Sequence, residues 1–475
     1  MADAATLAMP RVAIVGGGIS GLAAAFYLQR ARVEYVLFER AGRLGGSLRT
    51  ERVQGCLVEA GADSFLTAKP WAAELAREAG IGDRLIGSND ATRKTYIVRG
   101  GRLVPIPAGM SLIAAGELWP IVTSPLFSLR TKLRFVRELL LPPAPLSAQE
   151  DESVASFTRR HFGDEVATTL AAPLLAGVYG GDAEGLSARA VLPALVEMEA
   201  RHRSLGRALR AARRQRGPSG ADSIFTSFTG GMQELVDAVA SHLDANRLRA
   251  SSPVESLRPS AGRWTVRSTT PADELRSENF SHVILALPAY AAAELLRPTD
   301  AALADSLVAI PYRPAMTIAL GYPRNDLAGL PQGFGFLVPR GEGLAIIACT
   351  FVHNKFPARV PEAAGHQEMG LLRAFMVNNL GKSDAEVVAM VRADLRTLLG
   401  LEAEPAFVKI DRWPYAMPQY QVGHFERVAA IERMAAAHAG LHLAGNAYRG
   451  VGVSDCVREG KSAAESVIQS VAARS

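Results

Sequence analysis

Short apolar runs alternate with helix-forming stretches along much of the chain. Residues 11–15 (RVAIV) are apolar and rich in β-branched side chains, which predicts a strand buried on both faces. The AAAFYLQR stretch that follows a glycine cluster favours a helix, and residues 33–38 (VEYVLF) predict a second strand. Farther along, Leu235, Val236, Val239 and Leu243 recur at helical spacing, 253–257 and 264–266 read as strands, and 282–288 (HVILALP) is a buried strand stopped by proline. Near the C-terminus LHLAGN leads through a second glycine cluster into VREGKSAAESVIQSV, again strand, turn and helix. Residues from about 84 to 215 break this rhythm and look largely helical. The pattern predicts an α/β chain in which one Rossmann-like domain is assembled from residues 10–68, 224–290 and 410–475. A mainly helical domain is expected over 84–215, and an α+β domain over 69–83, 216–223 and 291–409.

Composition narrows the class without naming it. Of 475 residues 48% are apolar and 21% charged, an ordinary globular balance long enough for two or more cores. The formal charge of +5 suits an anionic ligand or surface better than a dedicated nucleic-acid reader, and no nucleic acid is expected as a partner. Cys56, Cys349 and Cys456 are far apart, so neither a disulfide framework nor a metal site is suggested. The N-terminal MADAATLAMP lacks the charged and apolar regions of a secretory signal, which predicts a cytoplasmic protein. No apolar segment has the ~20 residues a membrane span requires.

The chemistry begins at Gly16-Gly17-Gly18-Ile19-Ser20-Gly21. Gly16, Gly18 and Gly21 match G-x-G-x-x-G between a strand and a helix, where the backbone can approach a pyrophosphate and the helix N-terminus can face it. Glu39, at the end of the second strand and followed by Arg40, is placed to accept hydrogen bonds from ribose hydroxyls. After it comes RAGRLGGSLRT. With Arg43, Gly45 and Gly46 this resembles the second signature of the flavoprotein amine oxidase group, in which these residues lie along the FAD diphosphate and ribityl chain. In the same group Gly61, Ala62, Asp63 and Ser64 correspond to the segment beside the flavin ring, and Val254 to an adenine contact. Trp413, Gly445, Val451, Gly452 and Val453 complete the set, with Ser454 or Asp455 available to cap the last helix.

Nearly the whole chain resembles one family, the bacterial type of oxygen-dependent protoporphyrinogen oxidases. The likeness is carried by GVYGGDAEGLS (177–187), RHRSL, GFGFLVP (333–339) and WPYAMPQYQVGHFER (413–427). It implies non-covalent FAD and the oxidation of protoporphyrinogen IX to protoporphyrin IX in haem biosynthesis, with O2 as electron acceptor and H2O2 as by-product. It further implies an apolar clamp at Phe334, Leu337 and Met376 with Gly177 against the macrocycle. Where relatives carry a propionate-binding arginine this chain has Thr95, so Arg93 or Lys94 is the candidate anchor, and coproporphyrinogen III stays open beside protoporphyrinogen IX. His353, His366 and His424 are isolated and read as solvent-facing or structural. The oily, basic stretch 103–146 implies peripheral contact with an anionic membrane, on the inner face of the cell membrane. The arginine run 201–216, leading to a Gly217-Pro218-Ser219-Gly220 linker, reads as a solvated helix. A homodimer and a contact with ferrochelatase are open expectations. The rival readings are an amine oxidase or carotenoid desaturase, which Trp413, Tyr415, Tyr420 and Tyr448 keep alive, and a non-enzymatic flavin-fold escort protein.

Overall fold

A computed structural model describes residues 10–146, 150–216, 223–260, 262–360 and 368–473. The Gly217 to Gly220 linker and His366 lie outside the described residues. A five-stranded parallel sheet forms the first layer, in the order Leu248–Arg249, Glu34–Phe38, Arg11–Val15, His282–Leu285 and Leu441–Leu443. Its central strands are buried on both faces, as their unbroken apolar runs require. Helix Ile19–Arg30 and helix Val453–Ala472 pack side by side on one face, and this closeness has a residue-level cause. A Cβ at Gly460 would collide with the Ser20 carbonyl oxygen, so glycine there lets the two backbones touch.

The second layer is a seven-stranded sheet in the order Phe407–Pro418, Tyr312–Pro323, Met369–Met376, Ala348–Phe351, Gly335–Leu337, Thr95–Arg99 and Arg102–Pro105. The stretch expected to be helical therefore opens with strand Leu85–Gly87, paired with Phe225–Phe228, and then a hairpin turned by Gly100 and Gly101, both at positive φ, that joins the seven-stranded sheet. Helices dominate from Trp119 onward. Within them residues Ala167–Ala171 form a π turn just before helix Ala172–Tyr179. Pro173 lacks the N–H that a regular α ladder needs there, and the wider turn accommodates the gap. Gly180, in the left-handed conformation at φ +60, ends the helix.

The arginine run is not simply solvated. Arg207 Nε donates to the Leu139 carbonyl at 2.7 Å and Arg210 Nε to the Gly116 carbonyl at 2.6 Å, so the first caps the C-terminal end of helix Leu129–Leu140 with positive charge. Glu138 of that helix, 2% exposed, in turn accepts from the Leu205 N–H at 2.6 Å and the Ser204 hydroxyl at 3.0 Å.

Candidate active site

The first turn of helix Ile19–Arg30 packs against Gly460, two turns into helix Val453–Ala472. Gly16 and Gly21 are glycines for internal reasons: a Cβ on either would strike the Ala286 or Gly16 carbonyl oxygen. Gly18 has no such reason. Its φ of −69 and ψ of 176 suit any residue, and a Cβ there would meet nothing within 4 Å. It opens helix Ile19–Arg30 without a side-chain cap, leaving the first N–H groups to an outside acceptor. Open space in front of a positive, uncapped helix end fits a pyrophosphate.

Neighbouring elements complete the cradle. Gly45 N–H donates to the Gly17 carbonyl at 2.8 Å, zipping the second signature to the first, while Glu39 accepts from Gly17 N–H at 2.8 Å and Ala41 N–H at 2.7 Å. Ser252 N–H donates to the Glu39 carbonyl at 2.8 Å, which brings half-buried Val254 alongside. Arg43 donates to the carbonyls of Leu44, Gly46 and Leu48, so it shapes the loop around Gly45 and Gly46. Arg40 is exposed. At the C-terminal turn, buried Gly445 (φ +127) and exposed Gly452 flank half-buried Val451 and buried Val453. Asp455 caps the last helix by accepting from Gly452 N–H at 3.3 Å and pairs with Lys69 at 2.6 Å. Ser454 is used elsewhere, donating to the Lys69 carbonyl at 2.9 Å.

Residues Gly61, Ala62, Asp63 and Ser64 run along the seam between the two sheets. The Ala60 carbonyl accepts from both Thr317 Oγ1 and Trp413 Nε1 at 3.1 Å, and Arg373 donates to the Gly61 carbonyl. Asp63 pairs with Lys355 at 3.1 Å and bonds to Ser64. Burial raises the Asp63 pKa, but Lys355, Arg373 and the Ser64 hydrogen bond outweigh it and hold the carboxyl well below its usual range. Arg359, fully buried, bonds to Glu59 at 2.9 Å and Ser227 at 2.6 Å. Burial raises Glu59 despite that arginine. Lys355, Arg359 and Arg373 escaped the sequence reading because only the fold brings them to residues 59–64.

Strand register decides which expected clamp residues share a face. Leu337 stands opposite Ala348, Ala348 opposite Phe375, and Phe375 opposite Thr317, so these four line the face that carries the seam. Met376, one residue on, points to the other face, where it is 1% exposed among Val98, Met316 and Ile318. Met376 is thus a core residue, whereas its neighbour Phe375 lies on the face that carries the seam. Phe334 is 8% exposed, and its N–H donates to the Lys94 carbonyl at 2.7 Å. Gly177, exposed on helix Ala172–Tyr179, has only Leu337 Cδ2 near the position of a Cβ, at 3.4 Å. Thr95, paired with Gly335, shares the Leu337 face with Ile97. Lys94 and Arg93 precede it at the rim, both exposed, with Arg93 3.7 Å from Asp90. The opposite end of the strands carries Arg340, paired with Asp182 at 2.5 Å, and Arg313, near Gly180.

The aromatic residues of the amine oxidase reading do not form a cage together. Tyr420 and Tyr448 are 1% and 3% exposed, whereas Tyr415 is 64% exposed against Tyr290. All three cysteines are free and buried, and burial pushes the Cys456 thiol up to about 12. His353 is buried against the Leu371 backbone, and His424 stacks on Tyr420.

A discontinuous dinucleotide cradle joined through residues 59–64 to a second, seven-stranded sheet is the arrangement of a flavin-binding oxidoreductase. The family model for flavin containing amine oxidoreductases matches residues 19–468, and the chain belongs to this family, with FAD as its cofactor. It is 32% identical over 473 residues to coproporphyrinogen III oxidase of Bacillus subtilis, covering 95% of this chain and 96% of that protein. It is also 32% identical over 487 residues to human protoporphyrinogen oxidase, covering 96% and 98%. The solved structure of a proposed protoporphyrinogen oxidase from Exiguobacterium sp. 255-15 superposes with a TM-score of 0.85 at 29% identity, covering 97% of this chain and 99% of that one.

Proposed function

We propose that this chain is a porphyrinogen oxidase of haem biosynthesis that converts coproporphyrinogen III to coproporphyrin III, passing six electrons in three rounds to O2 with release of H2O2. The observation that carries the reading is an apolar face, Leu337 and Phe375 under the bare Gly177, with cations at both ends of its strands. Arg93 and Lys94 lie at one end and Arg340 and Arg313 at the other, an arrangement matched to carboxylates on opposite sides of a macrocycle. The B. subtilis relative bears the same name. Protoporphyrinogen IX is the second reading, favoured by the equal identity to the human protein.

When bound, FAD supplies a hydride-accepting, two-electron centre that O2 reoxidises. The protein's own residues position and insulate. Thr317, Trp413 and Arg373 hold the 60–61 backbone against the slot, and Phe375 and Leu337 offer a flat apolar floor. Asp63 and Asp411 are engaged by Lys355 and Arg49. Anaerobic mixing of the holoprotein with coproporphyrinogen III is expected to bleach the flavin, and readmitted air to restore it. A flavin that stays oxidised under both porphyrinogens would overturn the reading.

We infer in addition a peripheral contact with an anionic bilayer. Among the described residues no helix is long and apolar enough to cross a membrane. Helix Leu129–Leu140 buries Phe135 and Leu139 yet exposes Leu129, Leu133 and Leu140 at 74%, 60% and 66%, beside exposed Trp119 and Leu141. Arg130, Lys132 and Arg137 flank this stripe, a combination suited to a headgroup layer. The protein should sediment with phosphatidylglycerol vesicles and lose most of that binding as Leu133→Glu. Equal recovery of the two proteins would refute the contact.

A further inference from the structure

Two adjacent residues, Gln419 and Tyr420, bond to the two sides of the site. Gln419 Nε2 donates to the Tyr179 carbonyl at 2.7 Å and to the Met417 carbonyl at 3.0 Å. Tyr179 ends the helix that carries Gly177, so the amide ties down the wall of the slot. The chain makes room for that amide: a Cβ at Gly181 would collide with Gln419 Oε1. Tyr420 faces the other way. Its hydroxyl donates to the Asn446 carbonyl at 2.6 Å and accepts from Gly450 N–H at 2.8 Å, closing the glycine turn between Gly445 and Gly452 from behind. Its own carbonyl accepts from Ser187 N–H at 2.7 Å, and its ring stacks on His424, whose Nε2 lies 2.9 Å from the Tyr448 carbonyl.

Packing alone does not call for the hydroxyl, since phenylalanine would fill the same volume and stack on the same imidazole. What the oxygen adds is a fixed spacing between two backbone groups of the C-terminal turn. A peptide shift at residue 420 would move Gln419 and with it the hold on Tyr179.

We propose that Gln419 and Tyr420 are a positioning pair that couples the porphyrin slot to the C-terminal cofactor turn. The slot half of this inference rests on the porphyrinogen reading above. If both ligands favour the same setting of the pair, each tightens the other by an equal factor, because coupling between two binding equilibria is reciprocal.

The test is calorimetric titration of the full-length apoprotein with FAD, with and without saturating coproporphyrin III, a fully oxidised ligand that is not turned over. In the unaltered protein the porphyrin should tighten FAD by about fivefold or more, and FAD should tighten the porphyrin equally. Tyr420→Phe should weaken FAD alone roughly tenfold, leave porphyrin binding to the apoprotein unchanged, and cut the coupling to under about twofold. Gln419→Leu should mirror this, weakening the porphyrin and the coupling but not FAD alone. Both variants should still unfold cooperatively, at a somewhat lower temperature than the parent because buried backbone partners lose a bond. Should Tyr420→Phe fail to fold, Gln419→Leu decides. Full coupling in either folded variant, or none in the parent while both ligands bind, overturns the proposal. Tight FAD binding with no porphyrin binding would instead sink the porphyrinogen reading and the slot half together. The tyrosine half is then judged on FAD affinity alone, and is refuted if Tyr420→Phe matches the parent.

Discussion

Gly18 and Gly21 lie three residues apart in one turn, yet alanine should do different damage at each. At Gly21 a Cβ would collide with the Gly16 carbonyl oxygen and come within 3.3 Å of the Ala286 Cβ, so the helix has to lift from the sheet. Overpacking of this kind costs about 1–3 kcal/mol, and the apoprotein should unfold at lower temperature. At Gly18 the backbone already suits an L-residue and the Cβ meets nothing, so Gly18→Ala should change apoprotein stability by no more than about 1 kcal/mol. The methyl would occupy the space a phosphate needs. Losing one or two charge-assisted hydrogen bonds at about 1.5–3 kcal/mol each predicts FAD affinity lower by roughly 10-fold to more than 100-fold. Calorimetry of the apoproteins gives the first quantity and FAD titration the second. The reasoning fails if Gly18→Ala destabilises the apoprotein as much as Gly21→Ala, or if it binds FAD like the parent.

Register puts Phe375 on the face of the proposed slot and Met376 in the core. Phe375→Ala should raise KM for a porphyrinogen several-fold with little effect on unfolding, while Met376→Ala should cost about 2–5 kcal/mol of stability; the reverse pattern would return Met376 to the slot. Arg340→Glu places a carboxylate beside Asp182 and should raise KM for coproporphyrinogen III more than for protoporphyrinogen IX; equal effects would argue against a carboxylate at that end. Burial depresses His353, His424 and His442 to about 4, with His282 adding to the effect on His442. The unfolded imidazole, near 6.5, takes its proton first, so their contribution is complete above pH 6.5 and falls toward pH 4 by roughly 1.4 kcal/mol per histidine per pH unit. A urea midpoint that does not fall between pH 7 and 5, or a His442→Phe variant as acid-sensitive as the parent, would contradict this. Burial lowers His161, but its bonds to Glu138 and Glu199 prevail and raise it. Its contribution is therefore present below pH 6.5 and lost above its folded value, and His161→Phe should be costlier at pH 6 than at pH 9.

Much of the cofactor half was legible in the sequence because its signals are local. Gly16 to Gly21 sit between a strand and a helix contiguous with them, and Glu39 follows one strand later, so spacing alone placed them. The slot was harder. Thr95 to Arg99 falls in the stretch expected to be helical, and its strand partner Gly335 to Leu337 is some 240 residues away, so nothing nearby says that it joins a sheet. Parity was harder still: Phe375 and Met376 are both large and apolar, and a shift of one residue exchanges core for slot. Arg43, expected along the FAD diphosphate, also donates to the carbonyls of its own loop, a contact that local spacing does not reveal. Arg207 and Arg210 looked solvated, yet find carbonyls some 70 to 90 residues earlier. Buried ion pairs such as Asp63 with Lys355, and the double role of Gln419 and Tyr420, depend on contacts that no local pattern encodes.

The central claim is that this FAD cradle and slot oxidise a porphyrinogen. The most direct test is aerobic turnover of coproporphyrinogen III and protoporphyrinogen IX side by side, followed by porphyrin fluorescence and peroxide release. The account predicts FAD- and O2-dependent growth of fluorescence, faster with coproporphyrinogen III and with three peroxides per porphyrin. Faster turnover of protoporphyrinogen IX would overturn the substrate choice, and no turnover of either by the flavin-loaded protein would contradict the account itself.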